Sequence, residues 1–414
     1  MSQTNASDRA HLLGQGSGCA LEEVRELICL APKDHGQLAE VLGEARRRSF
    51  SVLPIGAGSQ LAWCRPDALD DPANAPIPIS LMHLAGVLEQ IPGEGTVTAQ
   101  AGTPWRDLAQ AVEQSGECLP ADLPGATTST LGGILGAGRS GPNRLRYGPL
   151  RHHVLGMQVM LSDGTLAKSG GRLVKNVTGF DLHRLYTGSR GTLAIILEAS
   201  LRLMALPERE WSFCIPVADC ASGFTKALEI QQAMPRLHWL VLTRTQSELR
   251  LQGGLAGRAS QVKTDQERVL TALGGTPESF DGQAPTERKR LGEEGAENRN
   301  AWEIGSPLTH CAELLGTLEA QLPTETNLWV DCGTGRILVG PAGDAPVTEK
   351  PSWAETIGAE ATSLRPLCVH RHLHDQWTES NPTATQADWQ QRLTRGLDPA
   401  GIFSMTLDPE KAPA

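Results

Sequence analysis

Pro124-Gly125-Ala126-Thr127-Thr128-Ser129-Thr130-Leu131-Gly132-Gly133 opens a segment that continues through Gly136, Gly138, Gly141 and Tyr147-Gly148 and shows no sustained hydrophobic period. Alternating apolar residues predict a strand before it at 96–101 and another after it at 154–161. A long loop held between strands of one domain is usually functional; the plain alternative is a flexible surface linker, but linkers are rarely so apolar. Its glycines leave backbone N–H groups accessible, and Thr127, Thr128 and Ser129 add hydroxyls. Such a mostly neutral set of donors suits a diphosphate and the polar edge of a ring system.

Upstream, residues 34–48 repeat apolar side chains at Leu38, Val41, Leu42 and Ala45, the stripe of a helix entered at Asp34 or His35. Residues 21–30 read as a short apolar element leading into it. A strand at 51–55 then runs into Pro54-Ile55-Gly56-Ala57-Gly58-Ser59-Gln60. Two glycines two apart after a strand turn the backbone tightly and aim successive N–H groups into one concavity, a nest for phosphate oxygens, with Ser59 as a further donor. The same pattern also serves as a plain turn. It is not a Rossmann fingerprint, because Cys64, Arg65 and Pro66 follow where a third glycine would open a helix. Further strands are predicted at 77–81 and 96–101, and a helix at 104–115 with Pro104 in its first turn.

Downstream, the strand at 154–161 turns at Asp163-Gly164 and returns at 165–168. There follow Gly170-Gly171-Arg172-Leu173-Val174-Lys175-Asn176-Val177-Thr178-Gly179-Phe180-Asp181-Leu182, a short helix at 181–187, Gly188-Ser189-Arg190-Gly191-Thr192-Leu193 and a long strand pattern at 192–204. Leu206-Pro207-Glu208 marks a boundary. Beyond it, strands at 238–243 and 248–252, an amphipathic helix at 261–273, a charged stretch at 278–300 that reads as a loop or exposed helix, and a hairpin around Gly333 and Gly335 make a second α+β unit.

The chain has 414 residues, enough for two domains, and with 4% aromatics its core must be aliphatic. A net charge of −10 excludes a general nucleic-acid binder but leaves room for a local anion site. Nine scattered cysteines without a CxxC pair read as free thiols in a reducing compartment, not as an iron–sulfur or zinc site. Residues 1–20 lack a signal peptide's basic start and apolar run, and no run of about 18 apolar residues predicts a membrane span. The expectation is a cytoplasmic protein whose residues 1–20 are a frayed, disordered N-terminus.

Taken together, P-I-G-x-G-S, T-L-G-G-I-x-x-A-G-x-S-G-P-x-R, G-G-R-x-V-K-N-V-x-G-x-D-L-x-R-L and G-S-x-G-T-L resemble the PCMH-type FAD-binding domain of the vanillyl-alcohol-oxidase superfamily, and most specifically the FAD-binding E subunits of glycolate oxidase. The likeness is strong over 51–207 and faint at 357–362 and 398–403. It implies an α+β fold: a two-subdomain FAD-binding domain at 21–207, an α+β cap at 208–355 and a segment at 356–414 that returns to the FAD domain. It implies FAD held by Pro54, Ile55, Gly56, Ala57, Gly58, Ser59 and Gln60 at the diphosphate. Pro124, Thr128, Ser129, Leu131, Gly132, Gly133, Gly138 and Gly141 would line the flavin, with Gly191, Thr192, Leu193 and Ile195 beneath it. It further implies a complex with a second FAD subunit and an iron–sulfur subunit, oxidising glycolate to glyoxylate by hydride transfer to FAD.

The sequence departs from that family at Glu360, where a His is usual, and at Ser404-Met405-Thr406, where Asn-Pro-Gly is usual. His152 and His153 are the candidates for a catalytic base, against a plain reading as loop-edge imidazoles. His370, His372 and His374 would share one face of a strand, yet read better as a surface cluster than as a metal site, and no metal is expected. Two other functions stay open: an FAD-binding electron-relay or structural subunit whose partner does the chemistry, and another hydroxy-acid or sugar-alcohol oxidase.

Overall fold

A helix occupies the place of the expected frayed tail. In the computed structural model, which describes residues 6–59, 61, 75–122, 129–172, 179–245, 248–274, 277–281, 302–324, 326–340, 357, 363–366 and 392–403, α1 (Ala6–Ser17) buries Ala10 and Leu13, three residues apart. That spacing puts both on one helix face, and they pack with Leu38, Val41 and Leu42 of α2 (His35–Arg48). The polar composition of the segment concealed an apolar face only two residues wide.

The apolar element at 21–30 is two strands. β1 (Ala20–Val24) and β2 (Leu27–Ala31) pair antiparallel with Val24 opposite Leu27, leaving Arg25-Glu26 as a two-residue turn. β3 (Val52–Ile55) and β4 (Ile77–Ser80) complete a sheet of order β1-β2-β4-β3, with β2, β4 and β3 parallel. Between β2 and β3 runs α2, capped by Asp34, whose carboxylate accepts from Gln37 N at 2.8 Å. The chain returns to this sheet much later: Ile402 and Phe403 lie in the same core, and Val52 N donates to Ile402 O at 2.8 Å.

The second sheet is antiparallel, in order β5 (Val87–Gln90), β6 (Thr96–Gln100), β10 (Ile195–Arg202), β8 (Val154–Met160), β9 (Leu166–Gly170). α3 (Trp105–Glu113) and α4 (Leu131–Ala137) supply Trp105, Leu108, Val112, Leu131, Ile134 and Leu135 to its core. The long loop of the sequence reading therefore contains α4 and a further turn of helix, α5 (Arg144–Tyr147). Helix α4 is seven residues long and has glycines at three of them, so no periodic stripe announces it. Thr130 caps it, its hydroxyl accepting from Gly133 N. A short helix, α6 (Leu182–Tyr186), and a two-stranded ribbon of β7 (Glu117–Cys118) and β11 (Met204–Ala205) finish this part.

Beyond it lies one eight-stranded antiparallel sheet, in order β15-β12-β14-β13-β17-β18-β16-β19. Its members are β12 (Arg209–Pro216), β13 (Trp239–Thr245), β14 (Glu248–Gly257), β15 (Glu278–Asp281), β16 (Trp302–Gly305), β17 (Asn327–Asp331), β18 (Arg336–Gly340) and β19 (Ser363–Pro366). Helices α7 (Cys220–Ala233), α8 (Ala259–Leu273) and α9 (Leu308–Gln321) share one core with alternate residues of its strands. The start of the charged stretch at 278–300 is thus an edge strand, and residues 282–300 lie outside the described residues. Seven cysteines are described, Cys19, Cys29, Cys118, Cys214, Cys220, Cys311 and Cys332, and all are free thiols. Among the described residues, no helix is long and apolar enough to cross a membrane.

Candidate cofactor site

The four-stranded and five-stranded sheets meet at a concave cavity between them, the kind of place where cofactors and ligands bind. One wall is the end of β3 and the loop after it, Pro54 to Ser59 with Leu61 and Leu81. The other is Ala101, Thr130 and helix α4 at Gly132, Gly133, Gly136 and Ala137, with the turn Arg190-Gly191 and then Ala194 and Ile196.

The walls are held close by residues that lack side chains. A Cβ at Gly56 would land on Thr130 Oγ1, and one at Gly132 would lie 2.7 Å from Ala101 Cβ. Above the loop, Ser59 Oγ and Ser129 Oγ share a hydrogen bond of 2.7 Å that ties the walls together. At the C-terminal end of α4, Gly188 N donates to Leu135 O and Arg190 N to Gly136 O, both at 2.8 Å. Ser140 Oγ and Ser189 Oγ are buried there with no hydrogen-bond partner among the described residues. A glycine-walled, largely apolar cavity flanked by orphaned hydroxyls fits a ligand with a flat ring and a polar linker.

The structure gathers part of the expected set. Pro54, Ile55, Gly56, Ala57, Gly58, Ser59, Gly132, Gly133 and Gly191 line the cavity. Ser129 touches it through Ser59, and Gly138 ends α4 in the left-handed conformation. Gly141 packs against the Asp122 backbone, where a Cβ would sit on the carbonyl oxygen. Leu131, Leu193 and Ile195 point away into hydrophobic cores, and the Thr192 hydroxyl donates to Ser189 O at 2.7 Å. Ala194 and Ile196 line the cavity instead of Ile195 because neighbours in extended chain face opposite sides. Gln60, Pro124, Thr128, Glu360, Ser404-Met405-Thr406 and the cluster of His370, His372 and His374 lie outside the described residues. Sequence reasoning missed Leu61, Leu81, Ala101, Thr130, Gly136, Ala137 and Arg190. Only Thr130 and Gly136, inside the quoted glycine-rich segment, carried a local signal.

Neither His152 nor His153 is among the lining residues. His152 is exposed in a 3-10 turn. His153 is buried, with Nε2 2.7 Å from Tyr147 O. A carbonyl only accepts, so Nε2 carries a proton. Tyr147 continues the contact by stacking edge-on against His238 at 5.5 Å, at the foot of the large sheet. Leu145, two residues earlier, packs on Gly333 and the large sheet's core. In the same β17–β18 turn, Asp331 accepts from Gly333 N at 2.9 Å, and burial pushes its carboxyl above the usual range against the pull of Arg336 and Arg144.

Burial lowers the His153 pKa, opposed by the hydrogen bond to Tyr147 and helped by Arg202 and His152. Below the ordinary histidine value of about 6.5 the unfolded chain binds a proton that the folded chain resists, so stability present at neutral pH is lost as pH falls. Calorimetry at pH 7.5 and 5.5 is expected to give a lower Tm at pH 5.5. His153→Gln should shrink that difference, and equal differences in both proteins would refute the role.

Residues 27–170 match the family model described as an FAD binding domain. The chain is 32% identical over 181 residues to glycolate oxidase subunit GlcD of Bacillus subtilis, covering 43% of this chain and 37% of that protein. It is 31% identical over 176 residues to D-2-hydroxyglutarate dehydrogenase of Stutzerimonas stutzeri, covering 42% and 37%. It is 28% identical over 207 residues to D-lactate dehydrogenase of Archaeoglobus fulgidus, covering 50% and 45%. The chain therefore spans less than half the length of these relatives. A solved structure of alkyldihydroxyacetonephosphate synthase shares the fold at a TM-score of 0.65 and 15% identity, over 91% of this chain and 75% of that one. The α+β architecture and FAD as the cofactor stand on this agreement.

Proposed function

We propose, from the premise that this chain carries an FAD-binding domain of the FAD-binding oxidase superfamily, that it oxidises a small 2-hydroxy acid, with glycolate to glyoxylate as the preferred reaction, as one subunit of a larger glycolate oxidase or dehydrogenase complex. One observation carries the reading: the three relatives above are named for glycolate, D-2-hydroxyglutarate and D-lactate, which share a hydroxyl on the carbon next to a carboxylate. Bound FAD supplies the hydride acceptor for that carbon. The chain's own residues bind and orient it. Gly56 to Ser59 hold the diphosphate with backbone N–H groups, and the α4 glycines admit the cofactor against the sheet. The Ser59–Ser129 bond closes the walls around it. Gly138 and Gly141 shape the continuation towards the ring. The partners in this reading are a second FAD subunit and an iron–sulfur subunit.

A second reading is an electron-relay or structural FAD subunit. It is favoured by the position of both candidate bases outside the cavity lining. The test is the visible spectrum of the purified chain, recorded anaerobically before and after glycolate, D-lactate or D-2-hydroxyglutarate. Bleaching of the flavin bands by glycolate is the expected result. Bleaching by another of the acids alone would move the substrate assignment. Bands that persist with all three would overturn catalysis by this chain and leave the relay reading.

A further inference from the structure

Four described residues other than glycine have positive φ: Arg25 (49°), Glu26 (67°), Ser49 (56°) and Arg190 (54°). Ser49 is an ordinary helix C-cap. The others are bulky side chains in a conformation that costs about 1–2 kcal/mol each outside glycine and asparagine. Such strain persists where the surrounding structure enforces it, and it collects at functional sites. Both arginines touch the cavity or the loop that walls it.

Arg190 is the only charged side chain among the described residues that line the cavity. Its backbone is fixed on one side by the bond from its N–H to Gly136 O at the end of α4. On the other side Gly191 lies so close to β3 that a Cβ there would stand 2.7 Å from Pro54 Cγ. The turn is thus wedged between the two walls. The diphosphate of FAD is a dianion, and the other described lining residues offer only neutral donors. In a chain with a net charge of −10, a local cation supplies the attraction that the overall field does not.

Arg25 works from behind the loop. Its Nε donates to Ala57 O at 3.0 Å, and its side chain packs on Gly58, where a Cβ would be 2.9 Å from Arg25 Cδ. No peptide among the described residues is cis. In a trans peptide the C=O and the next N–H point in opposite directions. Holding the Ala57 carbonyl towards Arg25 therefore turns the Gly58 N–H away from it. The Arg25-Glu26 turn, a two-residue hairpin loop of a kind that normally takes Asn-Gly, keeps the side chain in that place.

We propose that Arg190 and Arg25 form the anion-recognition pair of this site: Arg190 meets the FAD diphosphate directly, and Arg25 is a positioning residue that orients the phosphate loop. The assignment rests on FAD as the cofactor and is independent of which hydroxy acid is oxidised.

The test is titration of flavin-free protein with FAD at low and high salt, followed by flavin fluorescence, with the Tm of the flavin-free protein as control. Glycine accepts the φ of Arg190, so Arg190→Gly is expected to keep or raise that Tm. It should weaken FAD binding by about 10- to 100-fold at low salt, the effect of losing a charge-assisted contact, and flatten the salt dependence. Arg190→Lys should recover part of the affinity at low salt only. Arg25→Ala should weaken FAD binding by roughly 3- to 10-fold while the salt dependence set by Arg190 remains. Unchanged affinity or unchanged salt dependence in Arg190→Gly would overturn the assignment, as would a fall in Tm that parallels the loss of FAD. A wild-type chain that takes up no FAD would overturn the cofactor itself and the assignment with it.

Discussion

Alanine at Gly56 is expected to strip the protein of its flavin while leaving the large sheet folded. The added methyl carbon falls on Thr130 Oγ1, 2.9 Å from Cγ2 and 3.0 Å from Cβ. Thr130 cannot swing aside. It is buried, β-branched, caps α4, and bridges to Pro104. Relief must come from moving the loop and α4 apart, and these are the two walls of the cavity. The overlap costs about 3 kcal/mol in a packed site, or roughly a 100-fold loss of FAD affinity if it falls on the bound state. Flavin absorbance per protein chain after gel filtration measures this, with far-UV circular dichroism to follow the fold. Adding Thr130→Ala to Gly56→Ala removes the two nearest atoms, at a cost of about 1 kcal/mol for the lost cap, and should restore part of the binding. A Gly56→Ala protein that purifies with a full complement of FAD would refute the close-approach argument.

Phe403→Ala is expected to destabilise the FAD half by about 3–5 kcal/mol. The ring is 1% exposed and lies in the core shared by α1, α2 and β4. It cannot be replaced by a shift of the chain, because Asp398 holds this segment by both carboxylate oxygens, accepting from Ile402 N at 2.9 Å and Phe403 N at 2.6 Å. Urea unfolding monitored by bound-flavin fluorescence should show an earlier transition than in the wild type, with the large sheet's signal little changed. A shift worth less than about 1 kcal/mol would mean that the C-terminal segment is an appendage and not part of the core.

The glycine loops were legible because their signal is local. A strand followed by Gly-x-Gly, and a threonine-serine-glycine run between strands, place backbone donors whatever the rest of the chain does. The arginines were not legible. Nothing around Arg25 or Arg190 says that the residue sits in a left-handed turn, because that strain is imposed by contacts with Ala57, Gly136 and Pro54, distant in sequence or across a loop. Ile195 was chosen and Ala194 and Ile196 passed over because the parity of a strand depends on its register with a partner. The pairing of β10 with β8 contains register shifts after Ile196 and after Ser200. The short helix α4 was hidden by its own glycines, which serve close packing more than helix formation. The large sheet's antiparallel hairpins were readable two strands at a time. Its order was not, since β12 and β15, or β13 and β17, are joined only by tertiary pairing.

The bond from Val52 to Ile402 has a consequence for how the chain comes into being. A ribosome delivers α1, α2, β3 and β4 first, but the strip of core that Ile402 and Phe403 fill arrives only after every strand of the large sheet has emerged. During that interval the apolar edge of the first sheet stands uncovered, the state in which nascent chains are most exposed to aggregation and most in need of chaperones. Among the described residues, the large sheet's core has no such debt to a later segment of the FAD half. It can close first, and its closure brings the tail back to the N-terminal layer. Shifting the order of synthesis by circular permutation, so that 392–403 precedes α1, would shorten the wait and raise the soluble yield.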